Sequence, residues 1–109
     1  MLYPPVVLEN KAREPTAALW APEVFTYKNE RKIILSDIDI VNHANNVKYL
    51  EWCLDVANVE MVLSNSIKAL NLNYLQELNY NDVIEIHHTG NSFLITKDGK
   101  NCFALEIEI

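Results

Sequence analysis

The chemistry-bearing residues of this chain concentrate in one run, Ser36-Asp-Ile-Asp-Ile-Val-Asn-His-Ala-Asn-Asn-Val-Lys-Tyr-Leu-Glu-Trp52. Two aspartates, a histidine and three asparagines stand immediately before an apolar segment with helical spacing. The start of a helix leaves backbone N–H groups without intrahelical acceptors and carries the positive end of the helix dipole. Such a place can polarise a carbonyl oxygen or hold an anion, and a neighbouring carboxylate and imidazole can move protons. The same residue types also make turns and caps, so from physics alone both readings stand. Asp37 and Asp39 would point the same way if the strand before them continued, and with His43 they could imitate a metal site; neither metal nor cofactor is expected. His87 and His88 are neighbours in a predicted strand, where alternate side chains face opposite ways, so they cannot share one metal ion. They are expected at a surface or interface. Cys53 reads as a small core residue, and Trp20 and Trp52 as packing.

The elements that would position these residues follow from periodicity. Residues 46–63 read as one long helix: Val47, Leu50, Leu54, Ala57 and Met61 recur at spacings of three and four. Tyr49, Trp52, Cys53 and Val56 widen that stripe and leave a narrow polar face of Lys48, Glu51, Asp55 and Asn58. A helix so apolar around its circumference is expected to be wrapped by a sheet. Asn45 or Asn46 can cap its start, and Ser64–Asn65 ends it. Before it, Val24, Thr26 and Ile33 to Leu35 suggest a first strand reaching about Ser36, interrupted near Asn29–Glu30.

After the helix the period becomes two. Leu70, Leu72 and Tyr74 alternate with asparagines; Val83 to His88, Phe93 to Thr96, and Phe103, Leu105, Ile107 and Ile109 follow. Asn81–Asp82, Thr89–Gly90–Asn91 and Asp98–Gly99 mark the turns, the last a strong hairpin signal. One strand, a long helix and four antiparallel strands joined by short turns make a meander the economical topology. Residues 1–22 carry all four prolines and no steady period, which reads as an extended arm or linker, with the domain proper over residues 23–109.

Composition bounds the partners. The chain has 109 residues, half of them hydrophobic, which is enough for one core without disulfides or structural metal. No apolar run approaches the roughly 20 residues of a membrane span, and no basic and apolar leader opens the sequence. The two cysteines match no metal spacing and no disulfide framework, so a reduced, cytoplasmic protein is expected. Fifteen acidic against nine basic side chains give a net charge of −6. The longest basic cluster is Lys28, Arg31 and Lys32, too little for a nucleic-acid surface.

The run SDIDIVNHANNVKYLEW resembles the signature of hotdog-fold thioesterases, and most closely that of the C-terminal half of acyl-ACP thioesterases. Asp39, His43, Asn45, Asn46 and Tyr49 match the family's Asp-x-Asn-x-His-x-Asn-Asn-x-x-Tyr pattern. A second block, Leu72-Asn-Tyr-Leu-Gln-Glu77, resembles the family's strand with Tyr, two variable residues and Glu, followed by an Asp, here Asp82. The resemblance covers about residues 24–109 and implies an α+β fold: a single hotdog, an antiparallel sheet wrapped around one long central helix. Two positions depart from the pattern. Val41 stands where the family has Asn, with an asparagine displaced to Asn42, and Leu78 stands where the plant enzymes carry a Cys, so a thiol mechanism has no support. Single-hotdog acyl-CoA thioesterases share Asp39 and the following helix but commonly have Pro at the position of Glu77.

The resemblance implies hydrolysis of a fatty-acyl thioester carried on acyl carrier protein or CoA, with the catalytic work assigned to Asp39, His43 and Glu77. Glu77 or Asp39 would activate water and His43 would join the same network. Backbone N–H groups near Ala44, Asn45 and Asn46 would hold the carbonyl oxygen, with Asn42 standing in for the missing amide. The family enzyme is a tandem of two hotdogs, and an isolated half would expose a sheet edge and an apolar helix flank, so a homodimer or larger assembly is expected. Lys28, Arg31, Lys32 or Lys48 would meet the acidic carrier or the CoA phosphates. A non-catalytic acyl-binding or assembly module is the alternative, and Val41 is the residue that favours it. Losing one hydrogen bond to a developing charge costs on the order of 10²–10³ in rate. Val41→Asn is therefore expected to raise thioesterase activity. Asn42→Ala should be nearly silent in the same assay if Asn42 only caps the turn, and damaging if it supplies the amide.

Overall fold

Alternation along the last strands determines which face of the sheet is covered by a helix. In the structure, a computed structural model that describes residues 7–10, 21–39, 43–64 and 67–109, the strands are β1 (Val7–Asn10), β2 (Tyr27–Lys32), β3 (Ala69–Tyr74), β4 (Val83–Thr89), β5 (Ser92–Lys97) and β6 (Lys100–Glu108). The helices are α1 (Asn46–Val56) and α2 (Val59–Leu63). Leu70, Leu72 and Tyr74 of β3 stand opposite Ile107, Leu105 and Phe103 of β6, and Phe93 and Ile95 of β5 continue the row to Ile86 of β4. These side chains close over Tyr49, Trp52 and Cys53 of α1 in one buried cluster. Burying each such aliphatic or aromatic side chain contributes roughly 1.5–3 kcal/mol, so this single layer of helix on sheet is where the fold's stability resides. The architecture is the expected hotdog: a helix packed on an antiparallel sheet.

The spatial order of the strands is β1-β3-β6-β5-β4-β2. β4, β5 and β6 form a meander, as expected, but β3 crosses to the far side and pairs with β6 instead of β4. The free edge of β4 is taken by β2, which runs antiparallel to it from Tyr27 to Lys32 without interruption at Asn29–Glu30. Backbone pairing sets β2, whose residues are mostly exposed and carry no alternation to read. The expected continuation through Ile33 to Leu35 is instead a corner. Ile33 bonds backbone to backbone with Asn81 and Asp82, and Leu35–Asp37 form a 3-10 turn. Within the segment expected as an arm, β1 joins the sheet, parallel to β3, while a 3-10 turn, Pro22–Val24, precedes β2.

The helix expected over residues 46–63 divides in two. Ala57 is extended, and the Asn58 side chain accepts a bond from Glu60 N–H at 2.8 Å, starting a new helix. An Asn that can cap its own successors competes with helix continuation, and here it wins. The hairpin signals hold: Asp98 and Gly99 both adopt positive φ, 51° and 78°, as a tight two-residue turn between β5 and β6 requires.

The sheet buries part of its other face too. His87, Leu94, Thr96 and Ala104 lie opposite the helix side and are all nearly inaccessible. His87, expected at a surface, is buried because β4 is an interior strand and Phe25 packs 6.4 Å from its ring. Its Nε2 lies 3.0 Å from Thr96 Oγ1 and 3.5 Å from a Glu85 carboxylate oxygen. His88 faces the other way, as strand geometry demands, stacked on Phe93 and Tyr27 with its Nε2 3.0 Å from Asn29 Oδ1. Burial disfavours the charged imidazolium and lowers the ionisation of both histidines, although Glu85 opposes this for His87. The unfolded chain therefore binds more protons than the folded one below the ordinary histidine range. Stability should be complete above about pH 6.5 and fall as the pH drops below it. Urea midpoints measured at pH 7 and pH 5.5 should show this loss, and the double variant His87→Gln/His88→Gln should flatten it.

Candidate active site

The loop ahead of α1 is held by its own backbone. Ile38 pairs with Ala44 as an isolated bridge, and Asp39 N–H donates to His43 C=O at 2.9 Å. The Asp39 carboxylate in turn accepts from His43 N–H at 3.3 Å. Beyond this, His43 bridges to Asn79, and Ala44 N–H donates to Leu78 C=O at 2.8 Å. The segment carrying Glu77 thus lies alongside the segment carrying His43. The result is a His43 Nε2 to Glu77 Oε2 separation of 3.5 Å, longer than a direct hydrogen bond but close enough for strong electrostatic coupling. Both side chains are open to solvent, 43% for His43 and 74% for Glu77.

Of the three expected catalytic residues, the structure brings His43 and Glu77 side chain to side chain, and Asp39 to the His43 backbone. Asn45 is the helix cap: its Oδ1 accepts from Val47 N–H at 3.0 Å. The expectation that N–H groups of Ala44 and Asn45 hold a carbonyl oxygen is corrected. Ala44 N–H is committed to Leu78 C=O and Asn45 N–H to Asp37 C=O, because the loop needs both to fold back on itself. Asn46, exposed at the first position of α1, is the expected donor that keeps its N–H without an acceptor among the described residues. Val41 and Asn42 lie outside the described residues.

Asp37 does not share a site with Asp39 and His43. It is buried, with Arg31 Nη2 3.2 and 3.4 Å from its two oxygens, and it accepts from Ile34 N–H at 3.0 Å. Lys48 Nζ stands 4.0 Å away. Among the described residues no three His, Cys, Asp or Glu side chains converge as a metal site would need. These pairings also reduce the cations expected to meet a carrier. Arg31 and Lys48 face Asp37, Lys48 also lies 3.3 Å from Glu51, and Lys28 is 3.2 Å from Glu85. Lys32 alone of the four has no ion pair among the described residues. Arg31 also stacks on Trp52, 5.4 Å from the ring, and Cys53 is a wholly buried core thiol whose ionisation burial pushes up.

Two phenols tie the site together, and motif matching alone gave them no role. Tyr49 Oη accepts from Leu78 N–H at 2.9 Å, and Tyr74 Oη donates to Asn46 C=O at 2.9 Å. Their spacing from Asn46 and Glu77 was visible, but which backbone group each would meet depends on β3 crossing to β6.

The acyl-ACP thioesterase C-terminal domain matches residues 23–108 of the chain. A palmitoyl-acyl carrier protein thioesterase of Gossypium hirsutum is 38% identical over 50 residues, 46% of this chain and 12% of that protein's length. The chain thus spans only a small part of that curated relative. In three dimensions it superposes on an acyl-ACP thioesterase of Bacteroides thetaiotaomicron with a TM-score of 0.61 and 20% identity, covering 97% of this chain and 41% of that one. A Staphylococcus aureus protein solved in complex with CoA gives a TM-score of 0.62 at 20% identity, covering 76% of this chain and 77% of that one. With the helix, the sheet and the His43–Glu77 pair in the order that the family's domain requires, the chain belongs to the acyl-ACP thioesterase C-terminal domain family.

Proposed function

We propose that this domain hydrolyses fatty-acyl thioesters, with water as the nucleophile and His43, Glu77 and Asp39 as the groups that manage its proton. The observation that carries the reading is the 3.5 Å pairing of His43 Nε2 with the Glu77 carboxylate beside the N-terminus of α1, in a chain of this family. In that arrangement Glu77 or Asp39 accepts a proton from water as the oxygen adds to the thioester carbon. The carbonyl oxygen gains negative charge next to Asn46 N–H and the positive end of the α1 dipole. As the C–S bond breaks, the departing thiolate takes up a proton, and the imidazole of His43 is placed to relay it.

The substrate is a fatty-acyl chain on acyl carrier protein or on CoA. The carrier protein is favoured by the family and by Glu77. CoA is favoured by the likeness to the Staphylococcus aureus protein solved with it, of whose length this chain covers 77%. An acyl chain needs an apolar wall, yet His43 and Glu77 are exposed, and Val47 and Tyr80 flank them as exposed apolar residues, 58% and 52% accessible. A second copy of the domain would supply the missing wall, so the working form is a homodimer or larger assembly.

A panel of acyl-ACP and acyl-CoA thioesters of graded chain length tests the whole reading on one preparation sized by light scattering. Hydrolysis by a dimer is expected, and Asp39→Ala and Glu77→Ala should each lower the rate by roughly 10²–10⁴. Binding of acyl ligands without turnover would replace hydrolysis by an acyl-binding role, and a fully active monomer would remove the dimer.

A further inference from the structure

The peptide of Leu78 is held on both sides. Its N–H donates to Tyr49 Oη from α1, and its C=O accepts from Ala44 N–H of the loop that carries His43. Glu77 immediately precedes this doubly held peptide, and its side chain is otherwise exposed. Tyr74, three residues upstream at the end of β3, reaches the opposite way and donates to Asn46 C=O in the first turn of α1. The two rings meet edge to face at 5.4 Å, and both pack on Phe103 at 5.5 and 5.0 Å. One phenol therefore ties helix to loop and the other ties strand to helix, with the strand–loop segment 74–78 closed into a ring of contacts between them.

From this geometry we infer that Tyr49 and Tyr74 are positioning residues, a crossed pair of hydroxyl anchors that sets the separation between the His43 imidazole and the Glu77 carboxylate. Its catalytic meaning rests on the thioesterase reading above, but the placement itself does not. Neither hydroxyl touches His43 or Glu77. Each acts through backbone, Tyr49 through Leu78 N–H and Tyr74 through Asn46 C=O. Tyr49 is nearly inaccessible, and burial, opposed by the Leu78 bond, pushes its ionisation up to about 12, so it works as a neutral acceptor and not as a base. Losing either anchor lets Glu77 drift from His43 while the ring still fills its space in the core.

Two measurements separate this from a merely structural role. First, in NMR spectra of the labelled protein, Glu77→Gln should shift the ring signals of His43, since the carboxylate stands 3.5 Å from Nε2. In a Tyr49→Phe background the same substitution should shift them by less than half as much, and Tyr74→Phe should act in the same direction. Ile86→Val, which thins the core without touching either anchor, should lower the melting temperature and leave the perturbation intact. Second, Tyr49→Phe should lower kcat about tenfold with little change in KM, as expected for a small misplacement of reacting groups. An undiminished perturbation in both phenylalanine variants, or none in the unmodified background, overturns the inference. If Tyr49→Phe fails to fold, the half-buried Tyr74 carries the test alone. Absence of hydrolysis in every variant and in the parent would fail the thioesterase reading and leave the NMR result to decide the anchors.

Discussion

The buried carboxylate of Asp37 is the interaction on which the arrangement of the site depends. It draws together four parts of the chain that have no other reason to meet: Arg31 at the end of β2, the Ile34 amide of the corner, Lys48 in the first turn of α1 and, through its carbonyl, the Asn45 amide that begins the helix. Arg31 in turn lies over Trp52, so the ion pair is continuous with the core. A carboxylate with 2% of its side chain exposed pays heavily for desolvation unless cations and amides surround it, as they do here. Removing one partner of such a pair typically costs about 3–5 kcal/mol, with Arg31, a third exposed, at the lower end. The consequence is geometric: with Asp37 fixed, the chain reverses within a few residues and delivers His43 to the start of the helix.

The same economy shapes the donors around the helix start. A free helix end presents several amides to a ligand, but here most are already bonded, to Asp37, to Leu78 and to the Asn45 side chain and carbonyl. The site is consequently narrow in its hydrogen bonding and open in its surroundings. An oxygen placed beside Asn46 would feel one amide and the field of an eleven-residue helix, not an array of donors.

Much of this was legible in the chain, for identifiable reasons. The period-two runs of β3 to β6 gave the sheet, since each buries one face against a helix whose stripe spans most of its circumference. Asp98–Gly99 gave its hairpin because only a tight turn uses two positive φ values in succession. His43 and Glu77 could be paired only through likeness to a family, because 34 residues separate them and no local pattern relates one to the other. The crossing of β3 to β6 and the course of β2 stayed hidden, as both depend on which strand edge is left free once the meander forms. The break at Ala57–Asn58 was hidden for a different reason: the apolar stripe runs through it, and the cap that ends one helix and starts the next outweighs that stripe. Asp37 could be seen as an acid but not as a buried one, since its partners come from β2 and α1.

The loop before α1 is closed at its base by two bonds between Asp39 and His43, one backbone to backbone and one from backbone to carboxylate. Both use groups that any residue at positions 40–42 leaves untouched. Substitutions there can alter the reactivity of the site while His43 keeps its place, which separates the evolution of catalytic strength from the maintenance of the fold. A lineage could pass through weak, strong or purely binding forms by changes at these three positions, with no need to rebuild the helix, the sheet or the anchors behind them.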